Sequence, residues 1–245
     1  MDSSELSGVT AVLLAGGRGT RIAHLLPDVP KPMANVAGRP FIDWVLLQLA
    51  RDGVVSFLLS TGHQGEIIEA HLAQVPVGGI RTRCVREDVP CGTAGGFLNA
   101  VRADPEPPHG GYLVVNGDSL VLTNVGLLVR EAMRQGWHAA LFGLVVEDAY
   151  RFGSLNVSGD GLLKGFNEKG ASRGMINAGV YWFSPDCIAR FPGQMPLSFE
   201  FDVFPALIAG GARIGVVTVE APFIDIGTPE SMAEAETFVR KHLGQ

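Results

Sequence analysis

Arg21 closes a glycine-rich run, Ala15-Gly16-Gly17-Arg18-Gly19-Thr20-Arg21, and Lys31 follows between Pro30 and Pro32. Glycines at 16, 17 and 19 remove the Cβ atoms that keep a backbone away from a ligand, and they permit positive φ. Backbone N–H groups can then converge on an anion. Arg21 adds a fixed cation with several donors, and Lys31 adds a compact charge on backbone limited by two proline rings. Phosphate is the ligand this chemistry suits. The run has no G-K-[ST] ending, and Ile22 stands where a dinucleotide fingerprint needs its last glycine, so both of those phosphate motifs are excluded.

Other chemistry is spread along the chain. Asp118 follows the apolar run Tyr112–Val115 in Asn116-Gly117-Asp118-Ser119, and an acid just beyond a buried strand suits a hard, oxygen-seeking cation beside a triphosphate. The same letters also make an ordinary turn. In Phe166-Asn167-Glu168-Lys169 an acid and a base adjoin; neighbours on a strand face opposite ways, so separate roles fit better than an ion pair. Asn177, Ala178 and Gly179 offer polar and backbone access, and the glycines of Asp88–Gly96 admit a flat ring, with Thr93 near a helix cap. His63 reads as a loop residue, and Glu200 as either a cap or a substrate contact.

These residues need a scaffold. Val12–Leu14 is a short apolar run expected as a strand covered on both faces. Helical periodicity from Pro40 to Arg51, a strand over Val54–Ser60, a helix over Gln64–Ala73 and a strand over Ile80–Arg86 predict alternating units and a largely parallel sheet. Such sheets bind ligands beyond the carboxyl ends of their strands, where the glycine run, His63, the 88–96 loop and Asp118 all fall. Further strands are expected at Ala139–Val146, Met175–Phe183 and Ile214–Val219, with a helix over Asn124–Gln135. Gly159-Asp160-Gly161 predicts a hairpin turn in a small antiparallel extension. Thr228 and Pro229 predict the start of a final helix reaching Leu243.

The chain has 245 residues, enough for one large α/β domain, taken as 1–245. A net charge of −6 advertises no face for nucleic acid. Cys84, Cys91 and Cys187 lack metal-ligand spacing and are expected as free thiols. No signal-like opening or membrane-length apolar run is present, so a cytoplasmic protein without membrane association is expected. No residue pattern fixes the oligomeric state, and a homo-oligomer is compatible with it.

AGGRGTR followed by PKPM, with NGD and then DIGTPE, resembles the sugar-1-phosphate nucleotidylyltransferase family over nearly the whole chain. KPMANVAGRPF, SFEFDVFP and FIDIGTPES resemble its D-glycero-D-manno-heptose 1-phosphate guanylyltransferases. The resemblance implies a Rossmann-like three-layer sandwich with a mainly parallel mixed sheet and a small antiparallel sugar-binding extension. It implies transfer of a nucleoside monophosphate from an NTP, with GTP preferred, to a heptose 1-phosphate, for surface polysaccharide such as capsule or lipopolysaccharide. By it, Ala15 to Thr20, Gly92 and Thr93 hold the nucleotide, while Arg21 and Lys31 serve catalysis. Asn116, Gly153, Glu168, Lys169, Asn177 and Gly179 hold the sugar phosphate, with Lys169 on its phosphate, and Asp225 joins Asp118 on Mg2+. Gly170 departs from the proline many relatives carry. No β-helical repeat follows the last helix, so the acyltransferase half of bifunctional relatives is not expected. Uridylyl, thymidylyl or cytidylyl transfer to another sugar, or a non-catalytic nucleotide-sugar sensor, remain the competing readings. A nicotinamide oxidoreductase fails for want of the fingerprint glycine.

Overall fold

The structure, a computed structural model, describes residues 6–74, 80–147, 149, 153–167 and 174–244. Strand β1 (Thr10–Ala15) is central because it is apolar on both faces: Ala11, Leu13 and Ala15 enter one core layer and Val12 enters the other. A 3-10 turn (Lys31–Met33) and the hairpin β2 (Asn35–Val36) and β3 (Arg39–Pro40) lead to helix α1 (Phe41–Arg51). Next come β4 (Ser56–Thr61), α2 (Gly65–Gln74), β5 (Arg81–Arg86), α3 (Thr93–Arg102) and β6 (Tyr112–Asn116). β4 and β6 flank β1 in parallel register and β5 lies parallel beyond β4, as the strand–helix alternation predicts.

The second half runs β7 (Ser119–Val121), α4 (Gly126–Gln135), β8 (Ala139–Val146), β9 (Ser154–Val157), β10 (Leu163–Asn167) and β11 (Gly174–Phe183). A short α5 (Pro185–Ile188), a π-helical turn (Phe199–Val203), α6 (Phe204–Ala209), β12 (Ile214–Val219), β13 (Phe223–Asp225) and α7 (Pro229–Leu243) complete it. β11 lies antiparallel to both β6 and β8, and β12 is parallel to β8, giving a nine-stranded mixed sheet. The architecture is the expected Rossmann-like three-layer sandwich. The β9–β10 hairpin bonds to β11 at Ser154–Ile176, so the antiparallel extension is continuous with the main sheet.

One core layer holds Phe41, Trp44, Leu46, Phe57 and Phe142; the other is an aromatic cluster of Phe97, Tyr112, Phe183, Phe199 and Phe204. Phe183 stacks on Phe199 at 5.4 Å, and Phe97 meets Tyr112 edge-on at 5.8 Å. Each buried phenylalanine contributes roughly 2 kcal/mol, so the layers hold the sheet without help from the polar loops. Tyr181 packs in the aromatic layer, and Trp182, its neighbour on β11, in the other. Thr228 caps α7 in a capping box with Ser231, behind Pro229. No helix among the described residues is long and apolar enough to cross a membrane.

Candidate active site

The loops after β1, β4, β5 and β6 meet at one edge of the sheet, where main chain packs on main chain. His63 N donates to Gly16 O at 3.3 Å and Gly117 N to Leu14 O at 3.0 Å. They enclose a cavity of about 950 Å³ lined by Ala15 through Thr20, by Arg21 and Lys31, and by Gly92 and Thr93. Every residue expected to hold the nucleotide or serve catalysis thus faces one space. Exposed His63 lines it as well, in the loop role expected of it. Of the glycines in the run only Gly19 has positive φ, at 57°. Gly16 is needed for space instead: a methyl group on it, or on Gly96, would stand 2.5 Å from Glu87 Oε1.

Glu87 was not singled out by sequence. It ends the strand–loop step after β5, and its Oε1 accepts from Ser60 Oγ at 2.8 Å while Oε2 accepts from Cys91 N at 3.0 Å. It therefore stands in the first cavity with a fixed carboxylate. A hydrogen-bonding acid after a strand is the signal that could have found it. Thr93 opens α3 next to its cap, as expected. Gly92, at φ 78°, is the N-cap of α3, while Thr93 Oγ1 accepts from Phe199 N at 3.1 Å. The loop needs a residue without Cβ there because a side chain at Gly92 would run into Leu197 O.

Lys31 is 8% exposed and its Nζ donates to Asp118 Oδ2 at 2.5 Å. Asp118 Oδ1 accepts from Ser119 Oγ at 3.1 Å. β13 pairs with β7 so that Asp225 lies opposite Ser119, and Ile226 N donates to Asp118 O at 2.9 Å. Asp225 ends a strand of three residues, too few to show alternation in sequence. Asp225 Oδ1 accepts from Gly227 N at 2.8 Å. A methyl group on Gly227 would collide with that oxygen and stand 3.3 Å from Arg21 Nη2 and 3.4 Å from Lys31 Nζ. Two acids and two cations therefore converge on one point.

A second cavity, of about 690 Å³, adjoins the first and shares Arg21, Asn116 and Asp118 with it. It exists because β11 bulges. Register along β8 shifts between Asn177 and Tyr181, and Gly179 takes φ 71°. Before the bulge β11 pairs with β9 and after it with β6, so the sheet parts where Asn177, Ala178 and Gly179 line the cavity. A side chain at Gly179 would strike Asn116, which explains why glycine occupies the bulge. Gly153 lines the same space. Glu200 does not cap the π-helical turn. Ser198 Oγ does so by accepting from Phe201 N, and Glu200 Oε1 accepts from Asn177 Nδ2 at 2.7 Å inside the cavity. Glu168 and Lys169 lie outside the described residues.

The cysteines are free thiols as expected. Burial pushes the Cys187 thiol up to about 12 and Cys84 to about 11, which keeps both protonated and inert.

The fold and the paired cavities define a nucleotide-handling α/β protein, and the chain belongs to the nucleotidyl transferase family, whose model matches residues 10–242. It is 33% identical over 228 residues to a mannose-1-phosphate guanylyltransferase of Mycobacterium tuberculosis, an alignment covering 91% of this chain and 62% of that protein's length. It is 28% identical over 234 residues to the D-glycero-alpha-D-manno-heptose 1-phosphate guanylyltransferase of Aneurinibacillus thermoaerophilus, covering 95% of this chain and 99% of that one. HddC from Yersinia pseudotuberculosis, solved in complex with GMP-PN, superposes with a TM-score of 0.82 at 29% identity, covering 93% of this chain and 98% of HddC.

Proposed function

We propose that the chain transfers a nucleoside monophosphate from an NTP to a sugar 1-phosphate, releasing pyrophosphate, with GTP and D-glycero-α-D-manno-heptose 1-phosphate as the preferred pair. The observation that carries this reading is the shared wall of Arg21, Asn116 and Asp118 between two cavities. A donor nucleotide in one and an acceptor sugar in the other would bring their phosphates together there. A sugar phosphate oxygen is already an anion, so the reaction needs no general base. Catalysis rests on alignment and on cancelling charge at the α-phosphorus. Arg21 would steady the β- and γ-phosphates, Lys31 the α-phosphate, and Lys169 the incoming sugar phosphate, with Glu168 on sugar hydroxyls.

Glu87 supports guanine. Its carboxylate keeps lone pairs beyond the bonds from Ser60 and Cys91, and guanine offers N1–H and N2–H2 donors side by side. Uracil and thymine offer one N–H between two carbonyls, a poorer match for a fixed acceptor. The relatives that act on mannose and heptose phosphates support a sugar of manno configuration.

Asp118 and Asp225 fit magnesium. They are hard oxygen donors, Asp225 ending β13 and Asp118 just before its partner strand β7, and no group of three or more His, Cys, Asp or Glu residues suited to a metal occurs among the described residues, so phosphate oxygens and water would complete the shell. Held by these two carboxylates, the ion would supply charge neutralisation for the phosphates of the donor.

Pyrophosphate release with GTP, UTP, CTP, dTTP and ATP against heptose, mannose and glucose 1-phosphates tests the reading. GTP with the heptose should be the best pair. Another best pair would overturn the substrate assignment and keep the reaction, and silence throughout would overturn the reaction itself.

A further inference from the structure

Phe201 is the most exposed large apolar side chain among the described residues, at 82%, and it sits at the sugar cavity. Its position is not an accident of a loose loop. The π-helical turn that carries it buries Phe199 and Val203, followed by Phe204, almost completely in the aromatic layer. Ser198 N donates to Asp202 Oδ2 at 2.7 Å, and Ser198 Oγ accepts from Phe201 N, so the backbone on both sides of Phe201 is held. Thr93 Oγ1 ties the same turn to α3. Within the turn Phe199 and Val203 are buried in the core while Glu200 and Phe201 line the cavity.

The two side chains offer complementary chemistry. Glu200 Oε1 is engaged by Asn177, and its Oε2 has no hydrogen-bond partner among the described residues. A pyranose presents hydroxyls at its rim, and C–H bonds on its faces and along its exocyclic carbons. A carboxylate accepts from the first and an aromatic face covers the second. The phosphate end of the sugar must lie against Arg21, Asp118 and Asp225, which line the same cavity. The exposed ring at the mouth is then left for the carbons beyond C5.

We propose that Phe201 is a specificity-determining residue that packs on the exocyclic chain of the acceptor sugar, selecting sugar phosphates that carry C6 and C7 over pentopyranose phosphates, with Glu200 holding a ring hydroxyl. This rests on the sugar 1-phosphate reading of the site. The test uses the full chain with GTP and three acceptors of one ring configuration: the heptose 1-phosphate, mannose 1-phosphate and lyxopyranose 1-phosphate, the last measured as substrate or competitive inhibitor. Phe201→Ala removes an exposed ring, so the fold should survive. It should lower kcat/KM for the heptose and mannose phosphates by roughly 3- to 10-fold, the yield of one aromatic contact. The lyxose phosphate and the KM for GTP should be unchanged, and Phe201→Trp should keep the preference. An equal effect on all three acceptors, or none, in an active enzyme overturns the inference alone. Wild-type silence with every sugar 1-phosphate overturns the proposed function, and the inference falls with it.

Discussion

Lys31 Nζ lies 2.5 Å from Asp118 Oδ2, so a cation assigned to the α-phosphate and an acid assigned to the metal are held against each other across 87 positions of sequence. The pair keeps a nearly buried ammonium satisfied, and it fixes both groups where the two cavities join.

Lys31→Ala should lower kcat by on the order of 10²-fold or more, the usual cost of losing a transition-state cation. Asp118 is 35% exposed and can be solvated when the lysine is gone, so the thermal melt should change little. A near-normal kcat would remove Lys31 from the chemistry.

Asp118→Asn and Asp225→Asn should each raise the magnesium concentration needed for half-maximal rate by roughly tenfold or more. Asp118→Asn also removes the counter-charge that Asp118 gives to Lys31, which is 8% exposed, and should lower Tm. Unchanged metal titrations in both variants would exclude the pair as ligands.

Gly227→Ala should lower kcat/KM by about tenfold or more, because the added methyl displaces Asp225 Oδ1 and crowds Arg21 Nη2 and Lys31 Nζ. Steady-state kinetics beside a melt would check it. Full activity would mean that the four groups do not need this spacing.

Glu87→Gln should cut the preference for GTP over UTP by about tenfold, since one acceptor oxygen becomes a donor facing guanine N–H groups. Competition between the two nucleotides measures this ratio directly. An unchanged ratio would assign base selection elsewhere.

Asp52 gives a stability prediction away from the site. Burial raises its pKa above 3.8, against the bonds from Val125 N and Gln48 that lower it. A carboxyl raised on folding favours the fold fully below its unfolded pKa, and that contribution is lost as pH rises through the folded value. Asp52→Asn keeps an acceptor for Val125 N and removes the cost of the buried charge. It should raise Tm at neutral pH by roughly 1–2 °C, with the gain vanishing below about pH 4. Thermal melts at both pH values would show it; an equal gain at both would exclude titration of Asp52 as the cause.

Much of the fold was legible because its elements are long enough to show a period. The 3.6-residue spacing of Phe41–Arg51 and the two-faced apolarity of β1 announce themselves in the letters. The β7–β13 pair and the π-helical turn did not, since three strand residues or a single irregular turn leave no periodic trace. Thr93 lies next to the cap of α3 as its position suggests, but its hydroxyl's partner, Phe199 N, lies 106 positions away and could not be read from the letters.

By itself the sequence determined which chemistry was available: glycines that let main chain approach phosphate, two cations, two acids, and an alternation of strands and helices that puts their loops at one sheet edge. Residue type and local spacing carry that information. Tertiary structure alone decided who meets whom. It set Asp118 against Lys31, brought Asp225 beside Asp118 through two short strands, placed Glu87 under Gly16 and Gly96, and parted the sheet at Gly179 to open the second cavity. Those contacts join residues far apart in the chain, and they exist only because the packed sheet fixes the distances between its strand ends.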